Sequence, residues 1–124
     1  MTNDQNGGAG FIHACSESDL DLWRARRIDV AGVPVALYHL EDGFYAIEDS
    51  CSHAGASLTM GQIEEGEVVA CPHHGARFNI KTGQVLSLPA VRGVRSYEVK
   101  VEDGEVYIRR NPVTQSIPTI MRLK

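Results

Sequence analysis

At 124 residues, with 43% hydrophobic and 23% charged residues, the chain suits one domain with its own core and leaves little length for an added catalytic domain. A net charge of −4 and a pI near 5.7 argue against broad attraction to nucleic acid, and no apolar run approaches the roughly 20 residues that span a bilayer. The opening stretch lacks the basic and apolar segments of a signal peptide, so the expected compartment is the cytoplasm.

In chain order, the Gly- and Asn-rich residues 1–10 read as a flexible N-terminus. Phe11 to Cys15 reads as a first strand, with His13 a structural residue and Cys15 a small buried hydrophobe. Ser18 to Arg24 suits one helical turn, with Ser18 as N-cap and the acids after it near the positive helix end. Val33 to Leu40, which includes His39 as a second structural histidine, and Phe44 to Ile47 flank Glu41-Asp42-Gly43. Tyr97 to Val101 and Glu105 to Ile108 flank Glu102-Asp103-Gly104. Asp-Gly favours type I′ turns, which need positive φ at both central residues, so each pair predicts a β-hairpin. From Ser96 to Glu102 apolar and polar residues alternate, as in a strand with one buried face. No segment is long and periodic enough for a substantial helix, and the fold class is all-β.

Residues 111–124 form a C-terminal extension with Pro112 and Pro118, whose Ile117, Ile120, Met121 and Leu123 are expected to cover a sheet or subunit edge, or to bind a partner. Acidic runs at Glu17 to Asp21, Glu41-Asp42, Glu48-Asp49, Glu64 to Glu67 and Glu102-Asp103 read as solvated turns or as a steering face for a basic redox partner.

The chemistry concentrates between the hairpins, in Cys51-Ser52-His53 and Cys71-Pro72-His73-His74-Gly75. Each half offers a thiolate and an imidazole. That donor set suits a two-iron, two-sulfur cluster with cysteines on one iron and histidines on the other, or a tetrahedral zinc. Small zinc modules use metal to replace a missing core, whereas strand-like apolar segments supply one here, which weakens the zinc reading. Cys15 is left over and has no internal disulfide partner, as suits a reducing compartment. Gly55, Gly75 and Gly83 read as turn positions around the ligands.

The pattern C-x-H, a spacer and C-x-x-H resembles the Rieske family, and so does the surrounding text. Phe44-Tyr45-Ala46-Ile47 leads into Glu48-Asp49-Ser50-Cys51; Ala56-Ser57-Leu58 follows the first ligands; Gly75-Ala76-Arg77-Phe78-Asn79-Ile80-Lys81-Thr82-Gly83 follows the second; and Leu88-Pro89-Ala90 sits where such proteins place a proline loop over the cluster. The resemblance covers about Phe11 to Arg109. It implies a Rieske-type antiparallel β-sandwich over residues 11–110, with a small inserted cluster-binding lobe at about 51–89. It further implies one [2Fe-2S] cluster held by Cys51, His53, Cys71 and His74. The spacing of the second motif selects His74, and His73 reads as a surface neighbour that tunes potential or meets a partner.

Two neutral imidazoles in place of two thiolates leave the oxidised cluster without net formal charge, which eases reduction. Loss of their remaining protons would make the potential fall as pH rises. High-potential members carry a disulfide between the loops and hydroxyls toward the cluster. The matching places here are Ala56 and His73, and Ala76 and Phe78. Their absence points to a potential near roughly −150 mV, and so to a soluble ferredoxin.

A terminal oxygenase would need a further mononuclear iron site, for which only His13, His39 and His73 remain, without a domain to house one. The expected role is therefore not that of an enzyme. The resemblance implies a carrier of single electrons from a flavin-dependent reductase to an aromatic-ring-hydroxylating dioxygenase, docking transiently near His53, His74 and Pro89. A small subunit of an assimilatory nitrite reductase and a zinc-stabilised interaction module are the alternatives.

Overall fold

The computed structural model describes residues 10–51, 55–73, 75–90 and 92–113. Among them are the strands β1 (Phe11–Ser16), β2 (Ala25–Val30), β3 (Val33–Leu40), β4 (Gly43–Glu48), β5 (Gln62–Glu64), β6 (Val68–Ala70), β7 (Arg77–Asn79), β8 (Ser96–Tyr97), β9 (Val99–Glu102) and β10 (Glu105–Arg109). Their pairings are all antiparallel and build three sheets, ordered β1-β10-β9, β2-β3-β4-β8 and β5-β6-β7. The helical content of the described residues is two single 3-10 turns, so the all-β expectation holds. The expected flexible start and most of the C-terminal extension lie outside the described residues.

β3 explains the layering. After the exposed Val33 and Pro34, its apolar run from Val35 to Leu40 is buried on both faces because a layer packs on each side. Val35 and Leu37 join Cys15, Leu20, Val30, Ala46, Tyr97, Val106 and Ile108 in the core between the first two sheets. Ala36, Tyr38 and Leu40 point the other way, into a second core with Cys51, Leu58, Val69, Cys71 and Phe78. The middle sheet is thus the floor on which the lobe carrying β5, β6 and β7 sits.

Cys15 faces the first core, where burial pushes its thiol pKa up, as suits a small hydrophobe. The strand histidines are structural, as expected. His13 Nε2 lies 2.6 Å from the Glu105 carboxylate, and His39 Nδ1 lies 2.8 Å from the Leu20 carbonyl with its ring stacked on Phe44.

Local details depart from the sequence expectations. The helical turn forms at Glu17–Asp19, not from Ser18. Its first residue follows Ser16, whose amide is taken by the Asp19 carboxylate while its hydroxyl donates to Glu105. The Asp103-Gly104 hairpin has the expected positive φ at both residues, 54° and 79°. In the other hairpin Leu40 pairs with Gly43, so the loop is Glu41-Asp42, and positive φ appears at Gly43 (147°) and not at Asp42. The alternating run from Ser96 to Glu102 is two strands, because the chain leaves the middle sheet after Tyr97 and joins the outer sheet at Val99. At the corner the Glu98 carbonyl accepts the Arg109 amide at 2.8 Å.

Candidate metal centre

Cys51 and Cys71 close two copies of one turn. In the first, Ser50 pairs with Ser57, the Cys51 amide donates to the Ala56 carbonyl at 2.8 Å, and the Gly55 amide donates back to the Cys51 carbonyl at 2.8 Å. In the second, Ala70 pairs with Arg77, the Cys71 amide donates to the Ala76 carbonyl at 2.7 Å, and the Gly75 amide donates to the Cys71 carbonyl at 3.0 Å. Donors and acceptors stand at the same offsets from each cysteine. Gly55 and Gly75 occupy the same left-handed position, with φ of 70° and 77°, which a side chain rarely adopts. Leu58 and Phe78, seven residues after their cysteines, are fully buried beneath the turns.

Both cysteines are buried in the same apolar group. His53 and His74 lie outside the described residues, so the structure places the thiol half of the expected ligand set. His73, described, is exposed at the second turn. Two thiols at matched turn positions in one dry group form a soft donor pair of the kind that iron–sulfur clusters and zinc require. The residues present fit such a centre.

The surroundings lack hydroxyls at the positions noted above: Ala76 and Phe78 are buried and apolar. Tyr38 is held away from that role. Its hydroxyl donates to the Leu58 carbonyl at 3.1 Å, and burial, then the charge of Asp49, push its pKa well above the usual phenol range. The proline loop is tied to the lobe by the Leu86 amide on the Arg77 carbonyl at 2.7 Å and by the Arg77 amide on the Ser87 hydroxyl at 3.1 Å. Leu88 and Pro89 are exposed on its crest, while Ala90 joins the core that holds both cysteines.

The sequence reads Asp49 as part of a solvated turn or a steering face; the structure buries it and corrects both readings. Asp49 is 3% exposed because its carboxylate is consumed by protein donors. It accepts from the Ser57 hydroxyl at 2.7 Å, the Thr59 amide at 2.8 Å and the Thr59 hydroxyl, with Arg27 Nε 3.6 Å away. The first turn is thereby clamped from inside. Other acids also have internal partners: Glu64 and Glu65 meet Arg77 at 3.0 and 3.3 Å, while Asp42 and Glu67 lie 2.8 and 3.5 Å from Lys81. Lys81 thus joins the β3–β4 turn to the lobe. The one signal that would have found Asp49 is an acid two residues before an expected ligand.

A family model described as the Rieske [2Fe-2S] domain matches residues 10–98. The chain is 43% identical over 97 residues to the 3-phenylpropionate/cinnamic acid dioxygenase ferredoxin subunit of Escherichia coli (strain K12), covering 78% of this chain and 91% of that one. A chain of the solved complex of reduced oxygenase and oxidized ferredoxin in carbazole 1,9a-dioxygenase superposes with a TM-score of 0.80 at 37% identity, covering 86% of this chain and 98% of that one. A putative nitrite reductase NADPH small subunit superposes with a TM-score of 0.70 at 27% identity, covering 81% and 98%.

Proposed function

We propose, for a chain that belongs to the Rieske [2Fe-2S] family, that it is a ferredoxin carrying single electrons from a flavin-dependent reductase to a terminal aromatic-ring-hydroxylating dioxygenase. The observation that carries this reading is 43% identity sustained over 91% of a dioxygenase ferredoxin subunit. In this reading Cys51 and Cys71 hold one iron of a single [2Fe-2S] cluster, and His53 and His74 hold the other. The cluster, when bound, accepts and returns one electron.

The chain's own residues serve that exchange in separable ways. The matched turns hold both thiols at fixed positions, and the apolar group around them keeps water from the sulfur side. Ala76 and Phe78 offer no hydroxyl to stabilise added electron density, which favours a potential near the low end of the Rieske range, roughly −150 mV. The docking residues in this reading are His53, His74 and Pro89, with His73 and Leu88 as exposed neighbours in sequence. The nitrite reductase likeness is weaker in both identity and superposition, and the full Cys51, His53, Cys71, His74 set favours the carrier.

The test is anaerobic purification, assay of iron and acid-labile sulfide, and EPR after dithionite reduction. Reduced protein is then mixed with a terminal dioxygenase, its aromatic substrate and dioxygen. Two irons and two sulfides per chain, a reduced signal of lower average g than an all-cysteine ferredoxin, and product formed in proportion to electrons delivered are expected. Stoichiometric zinc with no such signal after cluster reconstitution would overturn the carrier reading. A loaded protein that reduces a nitrite reductase partner and no dioxygenase would shift it to the alternative.

A further inference from the structure

Asp49 is the one charged side chain in the buried set of described residues, and it stands two residues before Cys51. At most about 7 Å separates their Cα atoms along the chain. The hairpin geometry does not require a charge there. In the second copy of the turn the matching position is Val69, which pairs with Phe78 through an apolar stem, whereas in the first the Leu58 amide donates to the Asp49 carbonyl. A buried carboxylate costs stability unless it is paired, and here Ser57, Thr59 and Arg27 offset that cost. What distinguishes it from Val69 is a negative charge in poorly screened surroundings, close to where an electron would arrive. Arg27 covers the same carboxylate from the solvent side and is 61% exposed, so its own field is better screened.

We infer that Asp49 and Arg27 are a charge pair that sets the electron affinity of the adjacent centre, Asp49 holding it down and Arg27 partly restoring it. The inference rests on Cys51 and Cys71 being ligands, as proposed above. It assigns both residues a positioning and electrostatic role, not a ligand role. At an effective dielectric near 20 and a separation of roughly 10 Å, a unit charge alters a one-electron equilibrium by about tenfold. The exposed guanidinium has a smaller effect of opposite sign.

The experiment compares full-length wild type, Asp49→Asn and Arg27→Gln for iron and sulfide content, EPR and midpoint potential at one pH and ionic strength. The Asp49→Asn change keeps a side-chain oxygen for the Thr59 amide and removes the charge. It is expected to raise the potential by the equivalent of about tenfold in electron affinity, about 59 mV for one electron. Arg27→Gln is expected to lower it by less, with the difference shrinking in high salt. Opposite signs are what a purely structural role does not produce. Loaded variants with unmoved potentials, or with shifts of the same sign, overturn the inference. If Asp49→Asn fails to take up iron, Arg27→Gln decides: a negative shift supports the pair and an unchanged potential overturns it. Wild type without iron and labile sulfide overturns the ligand reading itself, an outcome distinct from a loaded protein with an unmoved potential.

Discussion

Gly83 lies so close to Val94 that a Cβ built on it would stand 2.1 Å from the Val94 carbonyl oxygen. The spacing is fixed, because the Val94 amide donates to the Gly83 carbonyl at 2.9 Å. Neither backbone has a flexible end that would yield. Gly83 also has a φ of 82°, so alanine there faces both a left-handed backbone and a clash. Gly83→Ala is expected to destabilise the protein by about 2–4 kcal/mol and to lower cluster retention. Gly104→Ala is the control, since φ is 79° with nothing within 4 Å of its Cβ position. It should cost only about 1–2 kcal/mol. Thermal melts of the two variants, compared with wild type, separate the clash from the backbone term; equal losses would refute the close approach.

Tyr38 supports an alkaline prediction. Burial, first, and the Asp49 charge raise its pKa above the unfolded value near 10, and burial also raises Tyr97 and Tyr45. For a group raised on folding, its contribution is fully present below the unfolded pKa and is lost as pH climbs toward the folded one. Stability should therefore fall from about pH 10 upward, and Tyr38→Phe should flatten that fall. At neutral pH the same variant should cost about 1 kcal/mol or less, because the Leu58 carbonyl keeps the Gly61 amide at 2.9 Å. Urea melts across the alkaline range check both parts, and an unchanged alkaline slope in Tyr38→Phe would count against the assignment.

How much of this was legible in sequence depended on whether the cause was local. The Asp103-Gly104 turn carries its own signal, since both residue types tolerate positive φ. The turns at Ala31-Gly32 and Glu65-Gly66 adopt the same left-handed pair of conformations, but Ala and Glu do not announce it; cross-strand pairing imposes it. β2 was hidden because Arg26, Arg27 and Asp29 break the apolar alternation on an edge strand that needs only a few inward side chains. At the site, the Cys and His spacing was readable because each pair is close in sequence. The clamp on Asp49 was not, since Thr59 arrives across the turn and Arg27 from a separate strand.

Glu105 gives the acid-side counterpart. The hydrogen bond from His13, then that from Ser16, holds its carboxyl below the ordinary glutamate range. A group lowered on folding contributes stability above its unfolded pKa, and that contribution disappears as pH falls through the folded one. Glu105→Gln should therefore flatten the loss of stability below about pH 4.5 while leaving the alkaline limb unchanged. The Glu105 side chain is 36% exposed, so the effect should be small and should shrink with salt. Melting temperatures at pH 3 to 6 in low and high salt are the measurement; a wild-type acid slope in Glu105→Gln would refute the role.

The equivalence of the two turns predicts equivalent losses. Cys51 and Cys71 sit at the same place in the same bonding pattern and in one buried group, so the two are equivalent by position. Serine at either position keeps the turn, because the amide and carbonyl bonds to Ala56 and Gly55, or to Ala76 and Gly75, are made by backbone. It removes the soft donor and replaces it with a hydroxyl that binds iron poorly unless deprotonated. Cys51→Ser and Cys71→Ser should each abolish, or reduce more than tenfold, the iron and sulfide recovered per chain. Cys15→Ser, in the other core, should leave the ratio intact while costing about 1–3 kcal/mol for a buried hydroxyl. Iron and sulfide assays with far-ultraviolet circular dichroism decide it. A folded Cys71→Ser protein with full cluster content would show that the second turn does not supply a ligand, and symmetry of the backbone would then have no counterpart in the chemistry.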